Sequence, residues 1–84
     1  MKYAALRITD GHVWEIGTYR SVGAALGARN NAAEESAYHF QRHAGPGGFA
    51  SIVPTYDPLT LQVCLFTAAG ELEIAYRYAV RAQL

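Results

Sequence analysis

The chain has a single cysteine, Cys64, and so can form no internal disulfide. An 84-residue chain without a covalent staple has to hold together by packing alone. Charge of either sign is not in excess: seven Lys and Arg offset seven Asp and Glu. The basic surplus that drives binding to nucleic-acid phosphates is missing. The acidic surplus of a DNA mimic is missing as well. Long hydrophobic runs are also absent. No stretch approaches the ~20 apolar residues of a membrane span, and the opening MKYAALRITD has too short an apolar run for a signal-peptide core. The expectation is a cytoplasmic protein with no membrane segment.

What is present is mostly apolar. Hydrophobic residues make up 51 % of the chain and charged residues 17 %, which excludes a disordered polypeptide. The length predicts one domain over residues 1–84. Arginine outnumbers lysine six to one and there are 15 alanines, a bias common in GC-rich bacterial genomes and their phages.

Residues 3–9 alternate, with Ala4, Leu6 and Ile8 on one face and Tyr3, Ala5, Arg7 and Thr9 on the other. Asp10-Gly11 is a hairpin signal, and residues 12–19 read as the second strand, with Gly17 weakening it or marking a bulge. Ser21 is a good N-cap. Val22, Leu26, Ala33, Ala37, Phe40 and Ala44 then keep to one helical stripe, with Arg29 as an irregular step. Asn31 and Glu34 have the form of a capping box, so the sequence predicts either one helix over 22–43 or a break near Asn30 and a firm helix over 32–43. Gly45-Pro46-Gly47-Gly48 stops it. Lacking a Lys-Ser/Thr ending and following a helix, this loop is no phosphate cradle.

Residues 49–56 predict a third strand, at an edge or ending at Pro54. Leu59, Leu61, Val63 and Leu65, then Leu72, Ile74, Tyr76, Tyr78 and Val80, alternate with polar or small residues and predict a half-buried hairpin. Its register should pair Leu65 with Ile74, Val63 with Tyr76 and Leu61 with Tyr78, with Thr67 opposite Leu72. The expected fold is α+β: a two-layer sandwich of about five antiparallel strands, in the order β-β-α-β-β-β, with one long or broken helix on one face. One helix covers one face, so the other is left to water or a partner. That uncovered face is expected to show Ala5, Arg7, Thr60, Cys64, Phe66, Ala75, Arg77 and Ala79.

Catalytic patterns are sparse. Glu35, His39 and His43 recur every four residues and would stack along one side of the helix, a metal-ligand spacing. The zinc-protease pattern needs Glu directly after the first His, where Phe40 stands, and no fourth ligand is evident. These are weak metal candidates, and no cofactor is expected. Cys64 lies mid-strand, where a thiol packs as a small hydrophobe. Ser21, Ser36 and Ser51 lack a nucleophile elbow. Glu71 and Glu73 beside Arg77 read as an ordinary ion pair.

The aromatics and arginines are more suggestive. Tyr3, Tyr19, Phe66, Arg7, Arg20, Arg77 and Arg81 fall off the expected core, and Tyr with Arg is the composition of protein-interface anchors. The leading expectation is a small non-enzymatic module that binds another protein, or a second copy of itself as a homodimer. Its most concrete form is a phage or mobile-element inhibitor of a bacterial defence complex, like anti-CRISPR proteins in size and composition. The alternatives are a metal-dependent or histidine-based enzyme built on Glu35, His39 and His43, and single-stranded nucleic-acid binding on the sheet face.

Overall fold

A computed structural model describes residues 1–83. Six elements follow in the expected order: β1 (Lys2–Thr9), β2 (His12–Tyr19), α1 (Val22–His43), β3 (Phe49–Pro54), β4 (Thr60–Phe66) and β5 (Leu72–Gln83). The strands form one antiparallel sheet in the order β2-β1-β5-β4-β3. α1 leaves one edge strand, crosses the sheet in contact with every strand, and delivers the chain to the opposite edge. The result is the two-layer α+β arrangement, with Pro54 ending an edge strand where its missing N–H costs nothing.

The tight turns follow local chemistry. Asp10 and Gly11 adopt φ of 47° and 80°, the consecutive left-handed pair that lets a two-residue hairpin match strand twist. In β2 a bulge puts Ile16 and Gly17 together opposite Ala5. A Cβ at Gly17 would lie 2.7 Å from the Tyr19 hydroxyl, so a larger residue there would make the Tyr19 side chain move. The β4–β5 pairing matches the expected register at Leu65↔Ile74, Val63↔Tyr76 and Leu61↔Tyr78. At the turn it departs: Leu72 pairs with Phe66, not Thr67, and a second bulge absorbs Glu73. Thr67 closes the turn instead, its N–H donating to the Glu71 carbonyl at 2.9 Å.

α1 starts where Ser21 accepts from the Ala24 N–H at 3.1 Å and runs unbroken for 22 residues. No new helix begins at Asn30-Asn31, since packing holds the middle in place. Ala25, Arg29 and Ala33 form a buried stripe at four-residue steps. Asn30 Oδ1 accepts from Arg29 Nε at 3.1 Å and Nη2 at 2.8 Å. Arg29 Nη1 also donates to the Pro58 carbonyl at 3.1 Å, tying the helix to the β3–β4 loop. Burial pulls the Arg29 pKa down, and nearby Asp57 partly offsets this. At the far end Gln41 Oε1 accepts from the Ala50 N–H at 2.9 Å, fixing the start of β3.

The core is Ala33, Val63 and Tyr78, with Phe40, Leu61 and Tyr76 packed around it. Phe40 meets Tyr76 edge-on at 5.0 Å, a favoured aromatic geometry. The Tyr78 hydroxyl is satisfied by a hydrogen bond with the Ser36 hydroxyl.

One expectation is corrected. Ala5 and Arg7 lie under the helix, not on the uncovered face, because Ala5 pairs with Val80 and Arg7 with Tyr78. Ala4, Leu6 and Ile8 therefore point away from α1. Ala5 is wholly buried, and its small side chain suits a helix whose own buried positions include Ala25 and Ala33.

Candidate functional site

The register assembles the uncovered face row by row. Ile8 sits beside Arg77, which sits beside Gln62. The next row holds Leu6, Ala79 and Thr60, and the one after it Ala4 and Arg81. On the other side of Arg77 the rows run Ala75–Cys64–Ser51 and Phe66–Phe49. Leu6 and Ala79 are buried although no helix covers them. They floor the space between Arg77 and Arg81, whose long apolar stems suit such a position.

At this end the face is concave. A groove of about 820 Å³ is lined by Ile8, Asp57, Thr60, Gln62, Arg77 and Arg81, with Tyr56 on its rim fully exposed. Asp57 is held by its own loop: Oδ1 accepts from the Leu59 N–H at 2.9 Å and Oδ2 from the Thr60 hydroxyl at 2.8 Å. These hydrogen bonds, then the nearby Arg81 and Arg29 charges, hold its pKa below the usual carboxylate value. Thr55 is likewise engaged, its hydroxyl donating to the Thr60 carbonyl at 2.9 Å. Among the described residues Arg77 and Arg81 make no ion pair within 4.0 Å and no hydrogen bond, so the expected Glu71/Glu73–Arg77 pair is not formed. Glu73 and Arg77 are four residues apart on β5, about 13 Å along an extended strand, too far for an ion pair. At the opposite end Phe66 stacks on Phe49 with ring centroids 5.1 Å apart, and Phe49 is exposed.

The other candidates are placed as follows. Arg7 lies between two aromatic rings, 5.6 Å from the Trp14 centroid and 5.7 Å from that of Tyr76. This explains how a cation is tolerated under the helix. Its Nε is buried without a partner. Arg7, Trp14, Ile16, Glu35, Ser36 and His39 line a smaller cleft of about 420 Å³ between β2 and α1. Tyr3 pairs with Tyr19 on the helix side of the β1–β2 edge, and Arg20 is exposed just beyond it. Of the seven residues, the structure thus gathers Phe66, Arg77 and Arg81 on the uncovered face and puts Arg7, Tyr3, Tyr19 and Arg20 elsewhere. Tyr56, Gln62 and Ile8 belong to the groove and were missed: the expected β4–β5 register already implied Gln62 beside Arg77, but nothing local announces that β1 joins β5 or that the β3–β4 loop brings Tyr56 to this end.

Glu35 Oε1 and His39 Nε2 are 3.8 Å apart, with both side chains more than half exposed. Among the described residues no three His, Cys, Asp or Glu side chains form a metal-holding group, so His43 does not complete the set. Cys64 is buried on β4, and burial raises its pKa. The thiolate is thereby disfavoured. Its reaction with Ellman's reagent at neutral pH is expected to be at least about tenfold slower than in the denatured chain, where the thiol has its ordinary exposure and pKa. Equal rates would show the site open. No described helix is long and apolar enough to cross a membrane. No family model, curated protein or solved structure matches the chain.

Proposed function

We propose that this chain is a small non-enzymatic module that binds another protein through the sheet face its helix leaves uncovered. One observation carries the reading: among the described residues Arg77 and Arg81 make no ion pair within 4.0 Å and no hydrogen bond, and they line a groove in that face. Exposed arginines beside aromatic side chains are the composition of interface anchors. Phe66 and Phe49 at one end and Tyr56 at the other supply the aromatics. The concrete setting is inhibition of a bacterial defence complex by a phage or mobile-element protein, supported by size and by the arginine- and alanine-rich composition alone. A second copy of the chain would count as the partner if it occupies this face.

The test compares variants. The wild-type chain, Arg77→Glu and Phe66→Ala are used as bait with lysate of the source organism or its host, and sedimentation reports self-association. Both variants should melt within a few degrees of wild type, because neither side chain belongs to the helix-side core. Both should lose most of the captured partner, about tenfold or more for an interface anchor. Undiminished capture by both would move the binding surface off this face.

A further inference from the structure

Resting on the binding role proposed above, we infer that the groove takes an acidic segment of the partner: an extended stretch of protein whose Asp or Glu side chains are received by Arg77 and Arg81. The charged side chains of the groove are two guanidiniums against one carboxylate, so its lining is net positive. The Asp57 carboxylate is held in its own loop by the Leu59 N–H and the Thr60 hydroxyl, and the Thr55 hydroxyl donates to the Thr60 carbonyl. Arg77, Arg81 and Tyr56 are exposed in this lining, and Gln62 is half-buried beside Arg77. Each guanidinium carries five N–H donors in a rigid fork that fits a carboxylate bidentately. A ligand rich in acceptors and negative charge satisfies this surface, and a neutral or basic one does not.

The spacing narrows the class. Arg77 and Arg81 are four residues apart on β5, about 13 Å along the strand, and point to the same face. Carboxylates at matching positions of an extended peptide have the same spacing. Between them the sheet carries Ala79 and Leu6, apolar and buried, with no charge to compete with the two arginines. A nucleic-acid strand is the poorer fit. Nucleic-acid binding draws on many phosphate contacts, and this face offers two arginines on a chain of zero net charge.

The test uses synthetic probes, so it does not depend on finding the natural partner. Hexaglutamate is titrated at low salt into isotopically labelled protein, reading backbone amides of Thr60, Gln62, Arg77, Ala79 and Arg81. The expected result is saturable binding there, weakened about tenfold or more in the double variant Arg77→Ala/Arg81→Ala. The reversed double variant Arg77→Glu/Arg81→Glu should take hexalysine in place of hexaglutamate. No response at millimolar hexaglutamate, or equal binding by the double alanine variant, overturns the inference. So does tighter binding of hexathymidylate at the same residues, which would make the occupant a nucleic acid. Equal occupancy by inorganic phosphate at matched charge would also overturn it, leaving only a general anion site. A natural partner lost on Arg77→Glu, together with no hexaglutamate response, would sink the acidic segment and leave the binding role standing.

Discussion

Tyr78→Ala is expected to be strongly destabilising, with a loss of about 3–5 kcal/mol. Tyr78 is 2 % exposed and, with Val63, one of the largest fully buried side chains. It lies in central β5, packs in the cluster with Ala33 and Val63, and shares a hydrogen bond with Ser36 on α1. Truncating a buried aromatic to Ala costs about 3–5 kcal/mol, because the transferred surface is lost and a cavity remains. A domain of this size has a total stability of roughly 4–13 kcal/mol. At about 4–8 °C per kcal/mol the melting temperature should fall by at least about 12 °C. Tyr78→Phe separates ring from hydroxyl. It keeps the packing, leaves the Ser36 hydroxyl without its partner, and should cost about 1–2 kcal/mol. Urea denaturation of the three proteins measures both differences. A loss under about 1 kcal/mol for Tyr78→Ala would mean that α1 settles into the space and that the contact is not central to the fold.

The β4–β5 hairpin was legible because its apolar residues recur strictly every second position. A slip of one residue would have put Glu73 and Arg77 under the helix, so only one register was physically acceptable. β1 was legible as a strand but not as to which face it buries. Ala4, Leu6 and Ile8 are the larger apolar set and read as the helix-facing side. The structure turns them the other way because β1 is hydrogen-bonded to β5, and that register puts Ala5 beside Val80 and Arg7 beside Tyr78. A pairing between the first and last strands leaves no local mark in the sequence. Arg7 was therefore misplaced, although the two rings that accommodate it, Trp14 and Tyr76, are both aromatic residues the sequence displays.

The groove was half legible for the same reason. Arg77 and Arg81 share a face by the two-residue period of β5 alone. That Gln62 flanks Arg77 follows once the β4–β5 register is known, since Val63 opposite Tyr76 fixes it. Ile8 on the other side needed the nonlocal β1–β5 pairing. Of the two bulges, the one at Gly17 was legible as an alternative to a weakened strand, and the one at Glu73 was not visible at all. The expected pairing of Glu73 with Arg77 failed on spacing alone, since four residues of strand separate them by about 13 Å. The capping box at Asn31–Glu34 illustrates the opposite case. A local signal existed, and tertiary packing of Ala25, Arg29 and Ala33 overrode it.

Arg29→Ala is expected to be strongly destabilising while Arg29→Met is nearly neutral. Arg29 is 7 % exposed, and its partners are the Asn30 side chain and the Pro58 carbonyl, neither of them charged. Among the described residues no carboxylate lies within 4.0 Å of it, so its desolvation is not offset by a close ion pair. Its contribution then comes from the apolar stem, packed on the buried stripe, and from the bond to Pro58. Alanine removes both and should cost about 2 kcal/mol or more, or at least about 8 °C in melting temperature. Methionine refills the space and removes the desolvated charge, so the change should stay within about 1 kcal/mol. Met as damaging as Ala would assign the stability to the polar bonds, and a neutral Ala would show that the helix needs no anchor here. Both variants cut the tie between α1 and the loop that carries Tyr56 and Asp57. Hydrogen exchange at the Leu59 and Thr60 amides should therefore quicken even in the stable Arg29→Met protein. Because that loop forms one wall of the groove, the same variant should weaken hexaglutamate binding without touching Arg77 or Arg81, which links the buried arginine of the helix layer to the open arginines of the sheet.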